Sequence, residues 1–331
     1  MNGENTAFRH VSLAASRFFR AFLPFSLPMN TRRHFLKSAS LAGAASALAP
    51  VLSSAAPAAA SAQEYCFFTK HLQGLSFAEI ADIAAGLEGM TGIEAPIRPK
   101  GHVEPEKVEE ELPKFAEELK KRKLGITIMT SGINEVSKEQ NTEKVLRTAK
   151  AAGIQRYRMN YNKYDLSKPI WPQLQEWKAK FKDLIALSSE IGIQPLYQNH
   201  SGKDYLGAPV WDVFTLMQDY PAKDWAFAFD FYHATVEGSL SWPLELNLVR
   251  DRIGAVYFKN FKWGEKRAEA CPLGEGVVGK EQVAMLKKIG FSGPISLHVE
   301  YLKGNVAQDG YLKEAIAATK RDFAVLREWW G

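Results

Sequence analysis

Cysteine is nearly absent from this chain, which has two cysteines, Cys66 and Cys271, among 331 residues. Two cysteines make neither a disulfide scaffold nor a zinc cluster. They leave either one bridge or two free thiols, and we expect two buried thiols. A Gly-rich phosphate loop after the first strand is also lacking, which argues against a nucleotide cofactor. No Gly/Ser-rich linker or long apolar run follows residue 62, so that part predicts neither a second domain nor a membrane span.

The first 62 residues form a distinct segment. Residues 31–37 contain paired arginines and precede an uncharged Ala-rich run, 38–62, that ends in Ala-Ser-Ala. This pattern is typical of a twin-arginine export signal with a small-residue cleavage site. A membrane anchor is the alternative, but Pro50 and Pro57 interrupt the run and make it a poor spanning helix. We predict that residues 1–62 are removed on export, by this route, to the periplasm or otherwise out of the cytoplasm.

The net charge of +5 belongs to this leader. Residues 1–62 hold six of the 42 basic and one of the 37 acidic residues, so residues 63–331 keep 36 of each. A neutral domain gives no electrostatic reason to expect nucleic-acid binding. Met29 is a better start for the signal than Met1, so residues 1–28 read as an upstream misassignment of the start.

Apolar strand-like runs alternate with amphipathic stretches throughout residues 63–331. Eight runs recur at about thirty-residue spacing, the period of a βα unit. They are 65–69, 92–97, 124–129, 154–160, 193–198, 225–230, 253–258 and 294–300. A doubly wound sheet is the alternative, but it favours fewer strands and a phosphate loop. We predict an α/β fold in which residues 63–331 form one (β/α)8 TIM-barrel domain, a fold of about 250 residues.

Polar side chains gather where these strands end, which is where such barrels carry their chemistry. All five histidines after residue 62 lie there. Alternation along a strand places His298 with Glu300 on one face, and Gln198 with His200 on another. The predicted substrate contacts, all at these strand ends, are Lys70, His71, Arg98, His102, Arg158, Tyr197, Asn199, His200, Lys262 and Trp263.

Several of these residues have a structural alternative. Asp230 is a favoured helix cap, and the two arginines Arg98 and Arg158 fit an ion-pair network equally well. His102 follows Pro-Lys-Gly and is typical of a turn. Lysines at 259 and 262 suit a solvated face, although the interleaved aromatic residues favour the wall of a pocket.

Five segments resemble the sugar phosphate isomerase/epimerase superfamily, the barrel of xylose isomerase-like and inosose dehydratase-like proteins. They are Tyr-Gln-Asn-His-Ser-Gly (197–202), Asp-x-x-His (230–233), Lys-Asn-Phe-Lys-Trp (259–263), Pro-Leu-Gly-Glu-Gly (272–276) and His-Val-Glu-Tyr (298–301). The likeness covers most of residues 65–328. The resemblance implies a divalent metal held by Glu or His on strand five, Asp on six, His on seven and Glu on eight.

Two of those four ligand positions are altered here. Asp230 and Glu300 match the family pattern, whereas Gln198 and Tyr257 stand at the other two positions. The resemblance therefore implies at most one divalent metal (Mn, Mg or Zn) on Gln198, Asp230 and Glu300, with His200 as a substitute. A neutral amide binds a metal less strongly than a carboxylate, so an unmetallated site is the alternative.

The resemblance also implies proton transfer next to a carbonyl. Glu300 would be the general base, its pKa raised by the pocket, and His298 or His233 would return the proton. Without a metal, Lys259 and Lys262 would stabilise the enediolate oxygen. We expect an exported isomerase or epimerase acting on an unphosphorylated small carbohydrate: a sugar, keto-sugar or cyclitol.

Two alternatives use the same barrel. Loss of a second carboxylate at Gln198 suits a one-base keto-sugar lyase or hydratase, and the altered ligands also suit a catalytically silent carbohydrate-binding barrel. A metal nuclease similar to endonuclease IV would need several metals and a basic face. The neutral charge of residues 63–331 argues against it.

Overall fold

The fold is a ring of parallel strands, described by a computed structural model for residues 63–331. The predicted leader and its export route lie outside the described residues. The strands are β1 (Tyr65–Phe67), β2 (Gly92–Ile97), β3 (Gly125–Ser131), β4 (Arg156–Arg158), β5 (Gln194–Gln198), β6 (Ala226–Asp230), β7 (Ile253–Phe258), β8 (Asn260–Trp263), β9 (Ala268–Cys271) and β10 (Ile295–Leu297). Eight of them form one parallel sheet in the order β1-β10-β7-β6-β5-β4-β3-β2. A parallel bridge between Phe68 and Glu94 joins its two edges, so the predicted (β/α)8 barrel is confirmed.

Helices cover the outside of this ring. Within residues 63–331 they are α1 (Phe77–Ala85), α2 (Val108–Lys120), α3 (Thr142–Ala151), α4 (Ile170–Ile191), α5 (Trp211–Met217), α6 (Phe231–Gly238), α7 (Trp242–Val249), α8 (Lys280–Lys288) and α9 (Tyr311–Trp330). None of these helices is both long and apolar enough to cross a membrane. Two of them, α6 and α7, separate β6 from β7, where one helix is usual.

A cluster of seven apolar residues fills the inside of the barrel. Alternate side chains of β6 illustrate the arrangement, because Ala226 and Ala228 face inward while Phe227 and Phe229 pack against the helices. The inner cluster consists of Cys66, Ile128, Leu196, Ala226, Ala228, Ala255 and Tyr257. Both cysteines are buried free thiols, as expected. Because this apolar plug closes the interior, ligands reach the barrel from the C-terminal ends of the strands, here called the mouth.

Helix α1 begins with a reciprocal cap. The Ser76 hydroxyl accepts a hydrogen bond from the Glu79 amide at 3.3 Å, and the Glu79 carboxylate accepts one from the Ser76 amide at 2.8 Å. Ser76→Ala removes half of this capping box, so we expect the free energy of unfolding to fall by about 1 kcal/mol in urea denaturation. Ser189→Ala, on the exposed face of α4, is the control. Equal losses in the two variants would contradict the capping role.

The segment after β7 turns into a hairpin that the strand count did not predict. Strands β8 and β9 pair antiparallel, with Asn260 opposite Cys271. The Asn260 amide donates to the carbonyls of Leu273 (2.6 Å) and Val278 (2.7 Å), and its oxygen accepts from the Val278 amide at 2.8 Å. The hairpin and the following loop are thereby fixed to the end of β7, beside the mouth.

Candidate active site at the mouth of the barrel

A lysine ammonium lies at the centre of the mouth. Lys259 directly follows β7, and its side chain is 9% exposed. Its Nζ is 2.8 Å from Glu300 Oε2 and 3.3 Å from Asp230 Oδ2. Burial alone would lower the pKa of Lys259, but the two carboxylates raise it above its ordinary value. Lys259 is therefore a fixed cation held between the ends of β6 and β10.

Glu300 is the carboxylate of this group that reaches solvent, with a side chain 28% exposed. Burial raises the pKa of Glu300, yet the charge of Lys259 outweighs it and holds the pKa well below its usual range. Lys70 adds to this effect, its Nζ lying 3.7 Å from Oε1. The prediction that the pocket raises the pKa of Glu300 is wrong, because the neighbouring cations were left out of it.

Asp230 has two roles at the end of β6. Its Oδ1 accepts a hydrogen bond from the His233 amide at 3.2 Å and caps α6, which confirms the structural alternative for this residue. Its Oδ2 faces the mouth, where it contacts Lys259 and accepts a hydrogen bond of 2.7 Å from Gln198 Nε2. The cap fixes the carboxylate that positions the lysine.

The amide of Gln198 is fully engaged by its neighbours. Its Oε1 accepts from Arg158 Nη1 at 2.8 Å and from the Tyr161 hydroxyl at 2.6 Å, while Nε2 donates to Asp230. The Arg158 guanidinium also contacts the Tyr161 hydroxyl, and its Nε is buried without a partner among the described residues. The oxygen of Gln198 thus faces the Arg158 guanidinium, and its amide nitrogen faces the Asp230 carboxylate.

Two neutral imidazoles line the next part of the mouth. The rings of His200 and His233 are 3.8 Å apart, centre to centre. His233 Nδ1 and Ser201 Oγ lie 2.8 Å apart, and His233 Nε2 is 3.6 Å from Asp230 Oδ2. Burial and the charge of Lys259 lower the pKa of His200 to about 4 and that of His233 well below its usual value. Both rings are therefore uncharged at neutral pH.

Sequence reasoning missed a buried carboxylate beneath this site. Glu94 on β2 is fully buried, and its Oε2 lies 2.7 Å from Ser296 Oγ and 2.9 Å from His298 Nε2. The Thr130 hydroxyl donates to its other oxygen. Burial raises the pKa of Glu94, but His298 and Arg158 bring it below its ordinary value. The signal was present: a glutamate inside an apolar strand has to be paired.

Two predicted substrate contacts are wrong because their side chains are used elsewhere. Tyr197 faces the helices, where it packs on Phe181, and its hydroxyl donates to the Leu206 carbonyl at 3.3 Å. Asn199 is fully buried, and its amide pairs with the backbone amide and carbonyl of Asp230 at 2.7 and 3.0 Å. Both residues support the β5 and β6 ends and do not line the mouth.

Four further predictions lie at the edge of the site or beyond it. His102 Nε2 contacts the Thr69 hydroxyl at 2.9 Å, and the His102 amide donates to the Pro96 carbonyl at 2.8 Å, in line with the turn alternative. His71 Nε2 contacts Thr319 Oγ1 on α9 at 3.0 Å and lines a recess of about 250 Å³ beside Glu300. Lys262 pairs with Glu275 on the exposed hairpin, and Trp263 is 55% exposed beside it. The predicted pocket wall of Lys262 and Trp263 is therefore wrong.

Two cavities meet at Lys259 and Glu300. The inner cavity, of about 120 Å³, is lined by Phe68, Lys70, Arg98, Arg158, Tyr161, Gln198, His200, Lys259, His298 and Glu300. The hairpin-side cavity, of about 220 Å³, adds residues such as Tyr232, His233, Cys271 and Tyr301. A larger hollow of about 730 Å³ lies at α2 and α3 and contains none of these groups. The perturbed ionisable groups therefore mark the mouth as the candidate site.

Residues 81–329 match the model of a protein family described as "Xylose isomerase-like TIM barrel". The chain belongs to this family. Among solved structures, similar folds include the IOLI protein with a bound zinc atom (TM-score 0.63, 15% identity, 80% of this chain and 99% of that one). Another is the probable 3-DHS dehydratase AsbF of Bacillus anthracis (TM-score 0.60, 16% identity, 79% of this chain and 98% of that one). A third is the 3-keto-D-glucoside 4-epimerase YcjR of E. coli (TM-score 0.58, 11% identity, 79% of this chain and 99% of that one). At these identities the likeness shows the fold alone, and no functionally curated protein matches the sequence.

The metal that the xylose isomerase-like resemblance implies does not fit the residues of this barrel. The space between Asp230 and Glu300 is taken by the Lys259 ammonium. Gln198, the predicted third ligand, directs a nitrogen to Asp230 and its oxygen to Arg158. Within residues 63–331 no three His, Cys, Asp or Glu side chains are grouped to hold a metal. The predicted ligand set of Gln198, Asp230 and Glu300 is therefore wrong for this arrangement.

Proposed function

We propose that this xylose isomerase-like barrel is an exported enzyme that moves a proton at the carbon next to the carbonyl of an unphosphorylated keto-sugar or cyclitol. One observation carries the proposal: the Lys259 ammonium lies in the mouth between Asp230 and Glu300. A preorganised, largely buried cation stabilises the oxyanion that forms when such a proton leaves. The adjacent Glu300 is within reach of the same substrate atoms.

Substrate binding would change the properties of Glu300. A carbonyl oxygen that binds the Lys259 ammonium competes with Glu300 for its charge, which weakens the 2.8 Å contact that suppresses the proton affinity of Glu300. It then accepts the proton from the adjacent carbon, and the C–H electron pair forms a C=C bond. The carbonyl electrons move onto the oxygen, where Lys259 holds the enediolate. The cation thus acts in the ground state on the base and in the transition state on the oxyanion.

Among such reactions the arrangement favours β-elimination. Epimerisation uses an acid–base group on each face of the substrate, and at the end of β5 this barrel has the amide of Gln198, which does not titrate. In elimination, one base is sufficient. Glu300 passes its proton to the β-hydroxyl, and the C–O bond breaks to release water. The oxyanion electrons re-form the carbonyl while the C=C pair shifts to form the new double bond between the α and β carbons. We therefore propose a keto-sugar lyase in preference to a two-base epimerase.

Hydrogen exchange tests the proposal directly. The protein is incubated in heavy water with a panel of keto-sugars, and deuterium at the carbon next to the carbonyl is followed by NMR, together with near-ultraviolet absorbance of the enone product. We expect exchange at an unchanged rate after dialysis against a chelator, because Lys259 supplies the cation. Glu300→Gln is expected to slow exchange by about two orders of magnitude and to retain sugar binding in calorimetry.

The control is Glu281→Gln on the exposed face of α8, which should exchange at the parent rate. Sugar binding without exchange on any keto-sugar would support the silent binding barrel instead. Activity that disappears with the chelator and returns with Mn²⁺ would contradict the role given to Lys259.

A further inference from the structure

One cation of the inner cavity has no ion pair or side-chain hydrogen bond within residues 63–331. The Arg98 guanidinium is partly buried, with its carbon atom 5.9 Å from the centre of the Phe68 ring. Within residues 63–331, its pKa is affected by burial and by the charges of neighbouring side chains, and no side-chain hydrogen bond is among the causes. Lysines 70 and 259 pair with Glu300, and Arg158 binds Gln198 and Tyr161. Arg98 alone among these four is left to face the cavity.

The loop that carries Arg98 is closed by backbone hydrogen bonds. The Arg98 amide donates to the Val103 carbonyl at 3.1 Å, and the Gly101 amide donates to the Arg98 carbonyl at 2.8 Å. A Cβ at Gly101 would lie 2.5 Å from the Pro96 carbonyl oxygen, so this tight turn requires glycine. A closed turn fixes where the arginine leaves the backbone, which is a property of a preorganised binding group.

The charges around the cavity do not balance. Four cations line it, Lys70, Arg98, Arg158 and Lys259, and Glu300 is the one carboxylate among the lining residues. Adding the nearby buried carboxylates Asp230 and Glu94 still leaves one positive charge in excess. Burial and the like charge of Arg158 both lower the pKa of Arg98. An anion in this cavity would relieve both effects, because a partly buried cation is costly until it is paired.

We propose that Arg98, backed by Arg158, forms a subsite for the carboxylate of an acidic sugar, so that the substrate is a uronate-type or keto-acid sugar. This rests on the proposed function and names its substrate class. The planar fork of a guanidinium matches a carboxylate in a bidentate arrangement. Phosphate subsites typically use successive backbone amides of glycine-rich turns or helix starts, and no glycine is among the described residues that line this cavity.

Calorimetry with matched sugars tests the subsite. The probes are D-glucuronate and D-galacturonate, with D-glucose and D-galactose as their neutral counterparts and D-glucose 6-phosphate as the phosphate arm. We expect the parent protein to bind at least one uronate about tenfold more tightly than its neutral counterpart, or about 1.4 kcal/mol. Arg98→Met should abolish that preference, and Arg98→Lys should keep part of it. Lys203→Met removes an exposed positive charge from the β5–α5 loop and should leave the preference intact.

The outcomes separate this inference from the proposed function. Equal affinity for uronates and neutral sugars, or a preference that survives in Arg98→Met, would overturn the carboxylate subsite. Tighter binding of the sugar phosphate than of both uronates would overturn it as well. Deuterium exchange on neutral keto-sugars with no uronate preference leaves the proposed function standing alone. An Arg98-dependent uronate preference without exchange on acidic or neutral keto-sugars leaves the subsite standing and removes the proposed reaction.

Discussion

Replacing Lys259 by methionine is expected to lower kcat about a thousandfold. Methionine keeps the length of the buried side chain but has no proton donor for the enediolate oxygen. Loss of one such donor from an oxyanion-binding site typically costs about 10²–10³-fold in kcat. The effect should fall on kcat more than on KM, because the interaction strengthens as the charge develops. Steady-state kinetics on the substrate identified by deuterium exchange measure both constants.

Lys262→Met is the matched control for this change. Lys262 is three residues further along, pairs with Glu275 on the exposed hairpin and lies outside both mouth cavities. It should retain the parent kcat within about twofold, since surface ion pairs contribute little. Circular dichroism shows whether the Lys259→Met barrel remains folded despite the two carboxylates left in the mouth. An equal loss of kcat in both variants would contradict the proposed role of the Lys259 ammonium in the reaction. A folded Lys259→Met protein with the parent kcat would contradict it as well.

Replacing Glu94 by leucine is expected to lower the free energy of unfolding by about 3–5 kcal/mol, because each buried hydrogen-bonding group left without an acceptor costs about 1–3 kcal/mol. The change leaves His298, Ser296 and the Thr130 hydroxyl without their shared acceptor. Chemical denaturation measures the loss. Glu94→Gln keeps one acceptor oxygen and should lose less. Glu109→Leu, on the exposed face of α2, should change stability by no more than about 0.5 kcal/mol.

The same glutamate gives this prediction a pH dependence. The folded-state pKa of Glu94 lies below its ordinary value, so its charge stabilises the fold above the unfolded pKa, about 4.3. That stabilisation is lost as the pH falls through the lower folded pKa. The parent should therefore lose stability below about pH 4.5 more steeply than Glu94→Gln. Parallel acid profiles for the two proteins would show that the carboxylate charge is not stabilising.

The strand bounds could be predicted closely because the hydrophobic periodicity and the length of each apolar run are local properties of the sequence. The bounds predicted for β2 and β7, 92–97 and 253–258, are those of the structure. The run 154–160 shortens to Arg156–Arg158, since its flanks bend into loops. The β8–β9 hairpin was not predictable in this way. Its pairing depends on the contacts of Asn260 with a loop thirteen to eighteen residues away.

The site was predictable as a location and less so as chemistry. Strand alternation brings Gln198 and His200 to the mouth, and the same alternation turns Tyr197 away from it, so that error was avoidable. The position of Lys259 between two carboxylates was not predictable, because it depends on the relative placement of three strand ends. The pKa of Glu300 follows from that placement and not from the residue types alone.

The charge balance of the lysine-centred mouth can be compared with that of the metal site implied by the resemblance. The resemblance implies Glu or His at the strand-five position, and where it is Glu, a divalent ion faces a carboxylate there. Here an ammonium has one positive charge fewer, and Gln198 has one negative charge fewer. The exchange is electroneutral as a pair, whereas either substitution alone would leave a buried charge uncompensated. Gln198 and Lys259 therefore act as one charge unit in this barrel, in which the neutral amide suits the single charge of the ammonium.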